Sequence, residues 1–152
     1  MSAGHSTGTA AAMAAHRAFY DAVETGDVDL MASLWVDDPD VSCVHPGALP
    51  LRGRSSVLRS WTVLMANVGY IQFFLTDIDV ATFPRGSDDP TTAVVSCTEN
   101  ILSGDAMSSA EGFSGGKAVC TSILVKDRGG WKFWSRHASP IAELHVADLE
   151  EP

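Results

Sequence analysis

The five histidines are the first candidates for acid–base chemistry in this chain, and His45 is the best placed of them. It follows a short apolar run at 41–44 and directly precedes Pro46-Gly47. An imidazole titrates near neutral pH and can act as a general base. The alternative is that the ring only hydrogen-bonds the turn at Pro46-Gly47.

His137, at the end of the last strand-like run, is the second catalytic candidate. Its ring could orient a ligand or pair with His45, or it could simply cap the strand end or touch a dimer partner. Successive strand residues point to opposite faces, so Ser135 and His137 share one face while Trp134 and Arg136 share the other. The sequence leaves open which face points inward.

Three polar residues within strand-like runs could belong to a binding site. Glu99 and Asn100 are consecutive and therefore face opposite ways, so one of them should lie inside, where a polar group needs a partner. An outward Glu99 on a solvated face is the simpler interpretation. Thr121 could supply a hydroxyl, although a plain strand residue is an equal alternative.

Large aromatic side chains could stack on a flat ligand, although aromatics at helical spacing more often form core. The candidates are Phe19, Tyr20, Trp35 and Trp61.

The cysteines and histidines show neither a metal-site spacing nor a disulfide framework. There is no HxH, HxxxH or HExxH pair and no CxxC, so we expect no metal and no cofactor. An odd number of cysteines suits a reducing compartment, and we expect a cytoplasmic protein. Cys43 lies two residues from His45 but is interpreted as a buried thiol. Cys97 and Cys120 should lie directly opposite if their hairpin is centred near Ser108-Ser109.

Length and composition limit the possible classes of protein. The 152 residues suit one domain, which we place at 11–141 between a flexible segment at 1–10 and an acidic tail at 142–152. A net charge of -9 with scattered basic residues argues against nucleic acid as a partner. No stretch has the ~20 consecutive apolar residues that a membrane-spanning helix needs.

Apolar periodicity predicts helices first and long strands afterwards. Helices are expected at 12–24, from a cap at Asp27, and from Gly53 to Gly69, with strands at 41–45, 70–80, 91–102, 117–126 and 131–137. This is an α+β fold in which helices cover a strongly curved, mainly antiparallel sheet and leave a pocket. The connection at 103–116 is long enough to be a lid, with Met107 and Phe113 as its large apolar residues, or a solvated loop.

Several segments carry a resemblance to a known family. They are FYDAVETGD (19–27), LWVDD (34–38), VHPG (44–47), LRGR (51–54) with Trp61, and GWKFWSRHAS (130–139). Together they resemble the SnoaL-like branch of the nuclear transport factor two-like superfamily, over about 11–140. The resemblance implies a cystatin-like α+β cone. It does not imply one activity, because the superfamily includes isomerases, dehydratases, cyclases, epoxide hydrolases and association domains.

The catalytic residues of ketosteroid isomerase, a member of this superfamily, do not carry over. Its oxyanion-binding tyrosine falls on Phe19, its general base on the strand 43–45, and its protonated aspartate near Thr121. None of these groups is retained in kind, and moving Tyr20 into the donor position breaks the alignment of Gly26-Asp27. The sets of residues that scytalone dehydratases and epoxide hydrolases need cannot be assembled either.

Two functional hypotheses remain. The first is a small-molecule binder or cofactor-independent enzyme of proton-transfer chemistry, with His45 as base or donor. The second is a non-catalytic domain that forms a homodimer through an exposed apolar sheet face. That face is expected to carry residues such as Ile71, Phe73, Val95, Leu124, Trp131 or Trp134.

Overall fold

Three helices form where the apolar stripes predict them. In a computed structural model that describes residues 7–105, 114–128 and 130–142, they are α1 (Thr7–Thr25), α2 (Val28–Ser33) and α3 (Arg54–Asn67). Helix α1 begins earlier than predicted, because its alanine-rich start has high helix propensity. Gly26 ends it with φ 68°, a left-handed conformation that glycine adopts without strain. Asp27 caps α2 by accepting the Leu30 N–H at 2.9 Å.

The helices pack on one face of a single six-stranded sheet. Its strands are β1 (Ser42–Val44), β2 (Leu51–Arg52), β3 (Val68–Phe83), β4 (Thr92–Asp105), β5 (Ser114–Asp127) and β6 (Gly130–Pro140). They lie in the order β2-β1-β6-β5-β4-β3, and only the β1–β6 pair is parallel. The predicted α+β class with a mainly antiparallel sheet is confirmed. Gly69 does not close α3, because the backbone turns extended at Val68 and enters β3 directly.

The β4–β5 hairpin has the predicted register. Ser103 pairs with Ser114, so the centre falls between residues 108 and 109, and Cys97 lies directly opposite Cys120. Met107 and Phe113, the large residues of the proposed lid, lie outside the described residues, as do residues 1–6 and those beyond 142.

The assignment of the exposed apolar face was wrong. Phe73, Val95, Leu124 and Trp131 are at most 7% exposed and form the core beneath the helices, and Ile71 and Trp134 pack partly buried against it. Because side chains alternate along a strand, the opposite, outer face carries a different set. Its exposed apolar side chains include Phe74, Leu102 and Val119.

A bulge in β6 determines which side chains of the last strand point inward. Ile123 pairs with Ser135 but Leu124 pairs with Phe133, so Trp134 is the extra residue. Phe133 and Arg136 are therefore both buried although three positions separate them. Ser135 and His137 face outward. Among the described residues, no helix combines the length and apolar character that a bilayer crossing needs.

Candidate functional site

A buried ion pair lies in the middle of the apolar core. Arg136 of β6 and Glu99 of β4 are 2% and 1% exposed, and the Arg136 Nη2 group donates to Glu99 Oε2. The Tyr20 hydroxyl of α1 donates to the same oxygen at 2.5 Å. Tyr20, Glu99 and Arg136 form what we call the interior polar cluster. The simpler expectation of an outward Glu99 was wrong, because α1 covers the sheet face that Glu99 shares with Val95 and Cys97.

Aromatic rings enclose the Arg136 guanidinium. Its Cζ lies 4.8 Å from the centre of the Phe19 ring and 5.3 Å from that of Trp61, within cation–π distance of both. Phe19 and Trp61 contact each other edge to face at 4.9 Å. Burial alone would lower the pKa of Arg136, but neighbouring thiol, carboxylate and phenol groups, Glu99 among them, raise it. The guanidinium therefore stays charged.

Several donors in this region lack a partner. Within the described part of the chain, Arg136 Nε, Arg136 Nη1, Trp61 Nε1 and Trp35 Nε1 make no hydrogen bond of ordinary geometry, although Trp61 and Arg136 both interact with the Cys43 thiol. Each unmet buried donor costs about 1–3 kcal/mol. Native proteins leave few such groups, so four of them call for a physical explanation.

His16 is a second buried titratable group beside the cluster. Its ring is 2% exposed, meets Tyr20 edge to face at 5.3 Å, and stacks on Phe133 at 6.3 Å. Burial, aided by the Arg136 charge, lowers the pKa of His16 to about 4. The ring is therefore neutral at physiological pH. Its Nε2 has no partner among the described residues.

His45 lies at the edge of the same interior, half-buried after β1. Its Nε2 is 2.9 Å from Ser60 Oγ, and its ring meets Trp61 edge to face at 4.6 Å. Ser60 Oγ donates its single proton to the Val57 carbonyl at 2.7 Å, so it must accept from His45 Nε2–H. That bond leaves Nδ1 as the unprotonated nitrogen. Burial, with a further contribution from Arg136, lowers the pKa of His45 and favours this neutral form.

The remaining predicted ligand-binding residues lie in two places. Trp35 is fully buried against Phe133 at 5.5 Å, on the core side. Asn100 lies on the outer face, where its Nδ2 donates to Phe74 O at 2.8 Å and to Thr76 Oγ1 at 3.1 Å.

Thr121 and His137 are cross-strand neighbours on the outer face, in a shallow groove of about 400 Å³. The structure therefore brings Phe19, Tyr20, Trp61, Glu99 and His45 to one region. Asn100, Thr121 and His137 lie on the opposite side of the sheet.

The three thiols point into the interior and are free. Cys43 is the cross-strand neighbour of Arg136, and Cys97 Sγ lies 3.7 Å from the Tyr20 hydroxyl. Burial raises the pKa of all three thiols, that of Cys120 to about 12. Cys43 is accordingly a poor nucleophile despite its closeness to His45 in sequence. No group of three or more metal-ligating side chains is assembled within the described ranges.

Arg136 and His16 are the residues of this region that sequence reasoning passed over. The sequence places Arg136 on one face of the last strand without a role, and His16 within the helix predicted at 12–24 without a role. For His16 the available signal was a titratable side chain at a position of the predicted helix whose periodicity indicates burial. For Arg136 there was none, because alternation left open which face of the strand points inward.

The fold and this interior identify the class of protein. A family model described as SnoaL-like domain matches residues 12–143. The chain therefore belongs to the SnoaL-like domain family, within the NTF2-like, cystatin-like superfamily that its sequence resembles. No functionally curated protein resembles it at a significant level.

Solved structures of the same fold include one with substantial sequence identity. An NTF2-like family protein from Streptomyces avermitilis, provisionally assigned as a dehydratase, is 43% identical with a TM-score of 0.77; the alignment covers 88% of this chain and 96% of that one. A protein from Thiobacillus denitrificans, provisionally assigned as a calcium/calmodulin-dependent protein kinase type II association domain, is 25% identical with a TM-score of 0.65, covering 86% and 94%. An uncharacterized cystatin-like protein from Caulobacter vibrioides, at 20% identity, 94% and 95% coverage and a TM-score of 0.72, shares the fold.

Proposed function

We propose that this protein binds a small molecule between α1, α3 and the inner sheet face and transforms it by cofactor-independent proton transfer. The observation that carries the proposal is the interior polar cluster. A charged arginine with unmet donors, within cation–π distance of Phe19 and Trp61, costs stability in an apolar core, and a role in binding would explain why it is there. The free thiols are in keeping with a cytoplasmic location.

His45 is the base in this proposal. Its Nδ1 is unprotonated when Nε2–H donates to Ser60, and its ring shares the Trp61 contact with Arg136. Nδ1 removes a proton from the carbon next to a carbonyl group. The electron pair then forms a carbon–carbon double bond and either expels a β-hydroxyl or shifts along the chain. The imidazolium returns its proton to the leaving hydroxide, which gives water, or to carbon, which gives an isomer.

Dehydration is the version that the comparisons favour. The Streptomyces avermitilis protein, at 43% identity, is provisionally assigned as a dehydratase, and it covers nearly the same length of chain. Elimination of water needs one base and a polarised carbonyl, and it needs no metal. His45 supplies the base and Arg136 the positive charge.

A library of β-hydroxycarbonyl compounds tests this function, with formation of the conjugated product followed by ultraviolet absorbance. His45→Gln should lower kcat about 100-fold, the lower end of the usual contribution of a general base. His137→Gln is the matched control, because that histidine lies on the outer face, and it should leave kcat unchanged. Equal losses in both variants, or an unchanged kcat in His45→Gln, would contradict the assignment of the base.

A second candidate function is homodimeric association through the outer sheet face. The supporting observation is a groove of about 580 Å³ on that face, lined by Asn100 and Lys117 together with apolar side chains. Two of those apolar residues are Phe74, which is 53% exposed, and Leu102. A second copy would cover them, and the name of the Thiobacillus denitrificans relative describes an association domain.

Analytical ultracentrifugation tests the association. Phe74→Lys should shift a dimer to a monomer at micromolar concentration, because it places a charge in the apolar groove. Val63→Lys is the control, since Val63 is 55% exposed but lies on α3. A wild-type monomer would remove this candidate and leave the proposed enzyme activity untouched.

A further inference from the structure

The middle of α3 carries a serine that helix formation does not explain. Ser60 lies inside the 14-residue α3, where serine is less favourable than alanine because its hydroxyl competes with the backbone for hydrogen bonds. Here the hydroxyl donates to the Val57 carbonyl at 2.7 Å, and such a bond back to the preceding turn does not strengthen a helix. The role of this side chain therefore lies in its second contact.

That second contact is with His45. Ser60 Oγ lies 2.9 Å from His45 Nε2, although 15 residues separate the two in the sequence. A hydroxyl has one proton and two lone pairs, and the proton of Ser60 is already used on Val57. The imidazole can therefore only be the donor in this contact, in its neutral form as well as in its protonated form.

The next residue of α3 restrains the same imidazole. The rings of His45 and Trp61 meet edge to face, with their centres 4.6 Å apart. Trp61 is 3% exposed, so the surrounding core fixes the orientation of its indole. The hydrogen bond from Nε2 holds one ring nitrogen, and the indole limits rotation of the ring. Two consecutive residues of α3 thus hold the histidine that follows β1.

We propose that Ser60 is a positioning residue, which keeps the proton of His45 on Nε2 and so leaves Nδ1 available as the base. This inference rests on the proposed function and adds a residue to it. The hydrogen bond made by one nitrogen of an imidazole decides which nitrogen can accept a proton. Without the Ser60 hydroxyl, the proton can move to Nδ1 and the ring can turn, so fewer molecules carry a usable base.

The variant Ser60→Ala tests this role in the β-hydroxycarbonyl assay. It should lower kcat about five- to tenfold, the effect of one neutral hydrogen bond on an equilibrium. It should leave KM unchanged, because Ser60 acts through the ring and not on the substrate. The variant Ser60→Thr keeps a hydroxyl and should restore most of the rate.

Thr62→Ala is the matched control for Ser60→Ala. The Thr62 hydroxyl also donates to a carbonyl of α3, that of Leu58 at 2.9 Å, but Thr62 is exposed and makes no hydrogen bond to His45. Removing it should leave kcat unchanged. A loss confined to Ser60→Ala therefore reports the contact with His45 and not the loss of a hydroxyl from the helix.

Nitrogen NMR of the full chain gives a readout that does not depend on turnover. Two-bond ¹H–¹⁵N spectra at about pH 8, where an ordinary imidazole is neutral, show which ring nitrogen carries the proton. The proton should lie on Nε2 of His45 in the wild type and in Thr62→Ala. In Ser60→Ala the two nitrogen shifts should move towards each other, as the tautomers exchange. The variant His45→Gln identifies the signals.

The outcomes separate the positioning role from the proposed function. Equal kcat values in Ser60→Ala and the wild type would overturn the positioning role and leave His45 as the base. A proton on Nδ1 in the wild type would also overturn it, because Ser60 would then be the donor. A wild type without turnover would refute the proposed function, and the ¹⁵N spectra would still decide whether Ser60 fixes the tautomer.

Discussion

Replacing Glu99 by glutamine tests whether the interior polar cluster is a true buried ion pair. The substitution keeps the shape of the side chain but removes the negative charge beside Arg136. Glu99 is 1% and Arg136 2% exposed, so water cannot compensate the guanidinium that remains. Removing one partner of a buried pair costs about 3–5 kcal/mol, a large part of the ~5–15 kcal/mol that holds a domain folded.

Urea denaturation at fixed protein concentration measures the loss, followed by tryptophan fluorescence and circular dichroism. Asp89→Asn is the matched control. Lys126 Nζ lies 2.5 Å from Asp89 Oδ1, but the Asp89 side chain is 80% exposed, so breaking that pair should cost less than about 1 kcal/mol.

The double variant Glu99→Met with Arg136→Met completes the cycle. It replaces both charges with apolar groups of similar size and should recover most of the stability lost in Glu99→Gln. A loss in Glu99→Gln no larger than in Asp89→Asn would refute the reasoning. A double variant less stable than Glu99→Gln would refute it as well, because the pair would then contribute net stability.

Three further outcomes follow from burial and helix capping. His16 stays neutral to about pH 4 in the folded protein but titrates near 6.5 in the unfolded chain. The folded protein therefore loses up to about 3 kcal/mol of stability as the pH falls from 6.5 towards 4. The variant His16→Phe should remove this part of the pH dependence of urea unfolding. The raised pKa values of Cys43, Cys97 and Cys120 predict that a thiol reagent at pH 8 modifies the folded protein at the rate of global or local opening; immediate labelling would contradict their burial. Asp27→Ala should destabilise the protein by about 1 kcal/mol, since it removes the acceptor for the Leu30 N–H, and an unchanged urea midpoint would show that this cap contributes nothing.

The fold was predictable because its signals are local and repeated. The apolar stripe of α1, the glycine after it and the β-branched runs of the long strands each indicate an element without reference to the others. The β4–β5 register followed from the centre of the hairpin, which places Cys97 opposite Cys120. The two-residue strand β2 was not predicted, because a segment that short has no measurable periodicity.

The direction of side chains in the site was harder to predict. Alternation along a strand shows that Glu99 and Asn100 face opposite ways, but only the packing of α1 decides which of them lies inside. In β6 the bulge at Trp134 places Phe133 and Arg136 on one face, against simple alternation. A bulge depends on how the strand pairs with its neighbours, so the residue pattern within 130–140 does not indicate one.

Stability alone does not explain the interior polar cluster. Apolar residues of similar volume would fill the same space without the cost of burying a charge, and they would leave no unmet N–H groups. The thiols around the cluster are weak acceptors and cannot repay that cost. The Glu99→Met, Arg136→Met variant therefore separates two explanations. If it keeps the stability of the wild type and loses turnover of the β-hydroxycarbonyl library, the cluster serves the proposed reaction. If it loses stability and still turns over the library, the cluster is a structural element and the site lies elsewhere.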